Sequence, residues 1–294
     1  MSTVVLLTLT GLGLGALYFL IAAGLSLIFG LADVLNFAHG VFLSVGAYGT
    51  WWAAGHVPGA GGSGLGFLLA VGVGMLAGAL VAVAVELLLI RPLYARPIEQ
   101  VLVTVGLALA GVALLQAYWG ADARVFPRPA WTQQTTRLLG ASVPNDRFAL
   151  IGAAAAVLVA LLVFLRRTRY GLIVRAGVED RAMVTALGIN VRTAFTLVFA
   201  IGGAAAALAG ALAGVYYGNV SPGQGTSMLI FAFIVVVIGG MGSVVGSALA
   251  AVVVGLVQQF ANYYTVAGLG EASVVLLLAA VLLTRPGGLT GRTA

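Results

Sequence analysis

Long apolar runs separated by short polar stretches dominate the chain. The runs are Val4–Leu31, Val41–Ala54, Leu65–Ile90, Val101–Trp119, Phe148–Leu165, Thr193–Tyr217, Met228–Ile238 continuing into Gly239–Gly246, Ser247–Tyr264 and Val266–Thr284. A helix needs roughly 20 apolar residues to cross a bilayer. The pattern therefore predicts an all-α, polytopic integral membrane helix bundle with about 8–10 transmembrane helices. Val41–Ala54 is too short to span alone, so a broken or half helix is expected near residues 32–54. All eight prolines fall between or at the ends of the runs, as expected where proline would remove a helix hydrogen bond. The opening Met1-Ser2-Thr3 carries no positive charge, and the apolar run after it exceeds a signal-peptide core. It reads as a retained membrane helix.

Composition agrees. Of 294 residues, 62% are hydrophobic and 7% charged, against about a quarter charged in a soluble domain. The 14 basic residues are all arginine. Without lysine there is no P-loop for ATP and no Schiff-base chemistry. Without cysteine there is no disulfide, thiolate nucleophile or thiolate-held metal. Two histidines are too few for an ordinary zinc site.

The arginines also fix orientation. With the turn at Arg91–Pro97 cytoplasmic, Arg91, Arg96, Arg166, Arg167, Arg169, Arg175, Arg181, Arg192, Arg285 and Arg292 lie inside. Arg124, Arg128, Arg137 and Arg147 lie outside, obeying the positive-inside rule. The reading is a single transmembrane domain over residues 1–294, with an external loop at 120–147 and an internal, charged loop at 166–192. Gly11/Gly15, Gly74/Gly78, Gly210/Gly214 and Gly242/Gly246 form GxxxG pairs, which favour close helix packing in lipid.

Three groups of polar residues stand out. The first is Asp33-Val-Leu-Asn36-Phe37-Ala-His39-Gly40, between two uncharged apolar runs. Polar groups at such depth are costly and face a cavity or partner. At helical spacing 33, 36 and 39–40 share one face. Two readings stay open: a broken-helix pathway element extending to Ser44, or a turn whose Asp33 and Asn36 cap the next helix. The second group is Val178–Asn190 in the internal loop, which reads as one short helix. Glu179 and Asp180 favour its N-terminus, Ala182, Met183, Ala186 and Leu187 form an apolar stripe, and Gly188 stops it. It suits docking to a soluble partner or lying on the membrane surface. The third is Gln258, Gln259, Asn262, Tyr263 and Tyr264, which line a path or bond neighbouring helices. Glu86 and Glu271 lie near helix ends, solvated or paired, with Arg91 in reach of Glu86.

The stretch from Gly15-Ala-Leu-Tyr18 through Ser26 to Gly30, then Asn36-Phe37-Ala-His39-Gly40 and Gly46-Ala-Tyr48, closely resembles the opening of branched-chain amino acid ABC transporter permeases of the LivH type. Arg91-Pro92-Leu93, Ala186-Leu187-Gly188-Ile189-Asn190, Gly239-Gly240-Met-Gly242-Ser243 and Arg285-Pro286 follow in the same order. The resemblance implies a bacterial inner-membrane permease that hydrolyses no ATP itself and binds no cofactor. ATP and Mg are used by two separate ABC ATPase subunits. A LivM-type sister permease and an extracytoplasmic solute-binding protein complete the importer. The resemblance also implies that Glu179, Asp180, Arg181, Ala186, Leu187, Gly188, Ile189 and Asn190 couple to the ATPases. Asn36, Phe37, His39, Gly40 and Ser44 are the expected pathway residues. The solute expected is a branched-chain or other hydrophobic amino acid. A urea or short-amide importer, an ion-coupled secondary transporter and a membrane scaffold are the alternatives.

Overall fold

The protein, seen in a computed structural model, is described over residues 2–32, 35–57, 64–94, 96–179, 181–266 and 268–290. Its helices are α1 (Ser2–Ala32), α2 (His39–His56), α3 (Gly64–Val85), α4 (Pro97–Trp119), α5 (Asn145–Arg167), α6 (Arg169–Glu179), α7 (Arg181–Ala186), α8 (Val191–Tyr217), α9 (Gln224–Gly239), α10 (Val244–Tyr264) and α11 (Leu269–Thr284). Among the described residues, six helical stretches are long and apolar enough to cross a membrane. α9 and α11 are shorter apolar helices.

Two helices form the centre. α1 and α8 are buried over 61% and 67% of their apolar stretches, whereas α4 and α5 are buried over 22% and 17%. α1 lies antiparallel to α10, with Gly11 and Gly15 against Gly255 and Ala251. A Cβ on Gly15 would strike the Ala251 carbonyl, so the small residues permit backbone contact where lipid offers no hydrophobic drive. α3 packs on α2 through Gly74 against Thr50, and α2 and α3 pack on α8 through Gly46 and Gly78 against Ala207.

The helices run between two unlike ends. One end carries Arg91, Arg96, Arg166, Arg167, Arg169, Arg175, Arg192 and Arg285; the other carries Arg124, Arg128, Arg137 and Arg147. The arginine-rich end is the one that the positive-inside rule expects on the cytoplasmic side.

The external loop holds short strands that apolar periodicity does not signal. β2 (Thr135–Leu138) and β3 (Ala141–Pro144) make a hairpin. Its two-residue turn has positive φ at Leu139 and Gly140, as tight hairpins require. β1 (Arg124–Val125) pairs with β4 (Asn219–Val220), just past α8. Trp51 Nε1 donates to the Val125 carbonyl at 3.1 Å, and the Arg124 guanidinium sits 5.3 Å from the Trp51 ring centre. The loop is thereby tied to α2 and α8.

Two expected elements differ. The run from Met228 does not continue as helix through Gly246. Gly240 and Gly242 take φ of +97° and +82°, a turn open to glycine. Ser243 then caps α10 by accepting from Gly246 N–H at 3.0 Å. Residues 35–38 are not helical, so Asn36 and His39–Gly40 do not share one helical face.

Candidate functional site

The break returns the chain into the bundle. His39, the first residue of α2, places Nε2 3.1 Å from the Ile21 carbonyl oxygen. A carbonyl only accepts, so this nitrogen carries the proton. Ile21 lies about 16 Å of helix before the end of α1 at 1.5 Å per residue. α2 therefore starts within the bundle and runs to the end opposite the arginine-rich one. Asn36 Oδ1 accepts from Ala38 N–H at 3.0 Å, and Asn36 O accepts from His39 N–H at 3.2 Å. Asn36 thus holds the turn before α2 and does not cap the helix, whose start has no side-chain cap. The Asn36 Nδ2 and His39 Nδ1 atoms are buried without a hydrogen-bond partner. Asp33 lies outside the described residues.

α9 also starts here. A Cβ on Gly225 would collide with the Gly40 carbonyl and Ser44 Oγ, so the first turns of α2 and α9 touch through backbone. Ser44 Oγ donates to the Pro222 carbonyl at 3.3 Å. Phe37, half-buried, packs on Phe233 with ring centres 5.1 Å apart. Neither helix has a side-chain cap, leaving the positive ends of two helix dipoles at one depth. Beside them Thr226, Ser227 and Ile230 of α9 are exposed. Sequence reading passed over these hydroxyls because they merge with a turn-rich Ser-Pro-Gly-Gln stretch. Only packing against Gly40 shows their depth.

A buried ionic cluster marks the arginine-rich half. After α3 the chain forms a π turn over Glu86–Ile90 and a 3₁₀ turn over Arg91–Leu93. The wide turn brings Arg91 onto Glu86, with Nε at 3.1 Å and Nη2 at 3.2 Å from the carboxylate oxygens. Tyr94 Oη donates to the same carboxylate at 2.5 Å and Thr196 Oγ1 at 2.9 Å. Arg91 Nη2 donates to Thr196 Oγ1 at 2.7 Å. Glu86 is fully buried, and the cluster joins α3 to the start of α8.

The internal loop is helical over α6 and α7, on either side of residue 180. Glu179 ends α6, and α7 stops at Ala186. Asp180 lies outside the described residues, as do the side chains of Glu179, Arg181 and Ala182. Gly188 closes α7 with φ +76°. Its N–H donates to Thr185 O at 3.0 Å and Ile189 N–H donates to Val184 O at 3.4 Å, the bond pair of a Schellman stop. Asn190 leaves this loop to cap α8, accepting from Arg192 N–H at 3.0 Å. α7 thus ends at the expected Gly188 stop, and Ile189 and Asn190 lie beyond it. Met183 and Leu187 are 62% and 70% exposed, and Ile189 is exposed beside them.

Two of the late polar residues bond neighbouring helices. Tyr18 Oη donates to Gln258 Oε1 at 2.8 Å, and Asn262 Oδ1 accepts from Gly270 N–H at 3.0 Å at the start of α11. Gln259 is half-buried, and Tyr263 and Tyr264 are exposed.

A membrane bundle entered by two helices that begin inside it defines a polytopic permease-type protein. The model of the family described as the branched-chain amino acid transport system / permease component matches residues 7–284, and the chain belongs to that family. It is 30% identical to the high-affinity branched-chain amino acid transport system permease protein LivH of Salmonella typhimurium, over 96% of this chain and 94% of that protein. It is equally similar to LivH of Escherichia coli strain K12, 30% identical over the same shares. BraD of Pseudomonas aeruginosa, described in the same words, is 29% identical over 96% and 94% of the two chains. No solved structure matches the chain.

Proposed function

We propose that the chain is the membrane-spanning permease subunit of an ABC importer for branched-chain amino acids in the bacterial inner membrane. The match to the permease family over residues 7–284 carries this reading. In it, a LivM-type sister permease completes the membrane unit, and an extracytoplasmic binding protein delivers the solute. Two ABC ATPases, using ATP and Mg, supply the energy. The exposed Met183, Leu187 and Ile189 around α7 form the docking surface for an ATPase. Glu179, Asp180, Arg181, Ala186, Gly188 and Asn190 belong to the same coupling segment. Asn190 caps α8, so a push on α7 reaches a central helix directly. The ATPase cycle shifts the bundle only through different affinities for its two facings.

Asn36, Phe37, His39, Gly40 and Ser44 form the pathway element in this reading, joined by Thr226 and Ser227. Exposed hydroxyls at this depth suit a solute path or a subunit seam better than lipid, and uncapped helix starts suit a carboxylate. The test is uptake by proteoliposomes holding this chain, the sister permease, both ATPases and the binding protein. ATP-dependent uphill leucine uptake is expected. Uphill uptake by this chain alone, driven by an ion gradient, would overturn the reading. Uptake of urea or a short amide in place of leucine would move the solute assignment.

A further inference from the structure

We propose that the seam between α1, α5 and α10 binds one anionic phospholipid, with its headgroup at Arg175 and an acyl chain along the seam. Two hollows lie on these helices, each open on one side. The one nearer mid-bundle has a volume of ≈ 170 Å³ and is bounded by Gly15, Ala16, Phe19, Ala154, Ala155 and Ala248 among others, all apolar. It persists because glycine and alanine are too small to close it. The second, ≈ 450 Å³, lies at the arginine-rich end between Leu27, Leu165, Leu172, Val174 and Val244, with Arg175 in its wall. Along α10, Val244 lines the lower hollow and Val252 the upper, about 12 Å apart at 1.5 Å per residue. Both hollows open outward from the helices, and at membrane depth the medium that meets such a surface is hydrocarbon chains, not water.

The chemistry of the walls selects the occupant. The upper hollow offers no polar partner, and the lower offers a cation above apolar walls, so an occupant must be apolar over most of its length and anionic at one end. Among the described residues the ion pairs are Arg91–Glu86, Arg96–Glu99 and Arg147–Asp146. Arg166, Arg167, Arg169 and Arg175 have no carboxylate in reach among those residues. α6 turns tightly off α5: Thr168 Oγ1 accepts from Gly171 N–H at 3.0 Å, and a Cβ at Gly171 would strike the Phe164 carbonyl. That turn keeps Gly171, Val174 and Gly177 inward and leaves Leu172 exposed beside Arg175. An apolar side chain next to an arginine at the end of a membrane helix fits the headgroup boundary of a bilayer. α5 is among the least buried spans, which opens the seam towards lipid.

The purified full-length chain in detergent tests the proposal. Phosphatidylglycerol should raise its Tm and remain bound in native mass spectra more tightly than phosphatidylcholine does. Arg175→Gln should weaken the phosphatidylglycerol preference about fivefold, as removal of one interfacial arginine predicts, while Arg175→Lys keeps it. Ala155→Leu, on the exposed rim of the upper hollow, should lower retention of both lipids. Equal binding of the two lipids, an unchanged preference in Arg175→Gln, or equal stabilisation by inorganic phosphate alone would overturn it. So would full retention of both lipids in folded Ala155→Leu.

Discussion

At the residue scale, small side chains and a few buried polar atoms set what the bundle can do. Gly225 shows the first. Its missing Cβ is what lets α9 start against the Gly40 carbonyl. Gly225→Ala should therefore force the two helices apart and destabilise the folded protein by about 1–3 kcal/mol, read as a lowered Tm in detergent. An unchanged Tm would mean that the junction yields freely. Asn36 shows the second. Its Oδ1 holds the turn at Ala38 while Nδ2 is left without a partner. Asn36→Leu should impair solute uptake by the assembled transporter with the complex still folded. Unchanged uptake kinetics would reduce Asn36 to a turn residue. The sequence showed that these residues were costly at depth. It did not show that Gly40 meets Gly225, because contact across so many residues leaves no periodic trace.

At the scale of elements, the π turn after α3 and the α6–α7 segment carry the argument. The π turn is stabilised by four donor contacts on Glu86 from Arg91, Tyr94 and Thr196. Glu86→Ala would leave the partly buried Arg91 without its carboxylate. It should cost about 1–3 kcal/mol and loosen α3 from α8, seen as faster amide exchange at the start of α8. Exchange unchanged from wild type would show that packing alone fixes the contact. The pairing of Glu86 with Arg91 was legible from five-residue spacing. The addition of Thr196 was not, since it arrives from a distant helix. For α7, Leu187→Asp places a charge on an exposed apolar surface and should abolish co-purification of the ATPases without harming membrane insertion. Retained co-purification would exclude this face from docking. Here the Gly188 stop was legible in the sequence, since a glycine at positive φ closes the helix after Ala186. Asn190 reads equally well as the end of one helix or the cap of the next, and only the Arg192 N–H contact decides.

At the scale of the whole molecule, the distribution of burial separates a centre from a periphery. α1 and α8 hold the centre, and α4 and α5 face outward. A bundle of this kind has no nucleotide-binding P-loop of its own, so the proposed transport depends on a partner motor. Reconstituted alone, the chain should give no uphill leucine uptake. Adding the sister permease, both ATPases, the binding protein and ATP should produce it, measured with radiolabelled leucine in sealed vesicles. The membrane class, the all-α bundle and the family were all determined by the sequence itself. They follow from run length and local motifs, which are properties of consecutive residues. Tertiary structure alone decided where α2 and α9 begin in depth, that their first turns meet, and which exposed residues sit beside them. Depth and contact come from how helices pack, and packing is a relation between segments far apart in the chain.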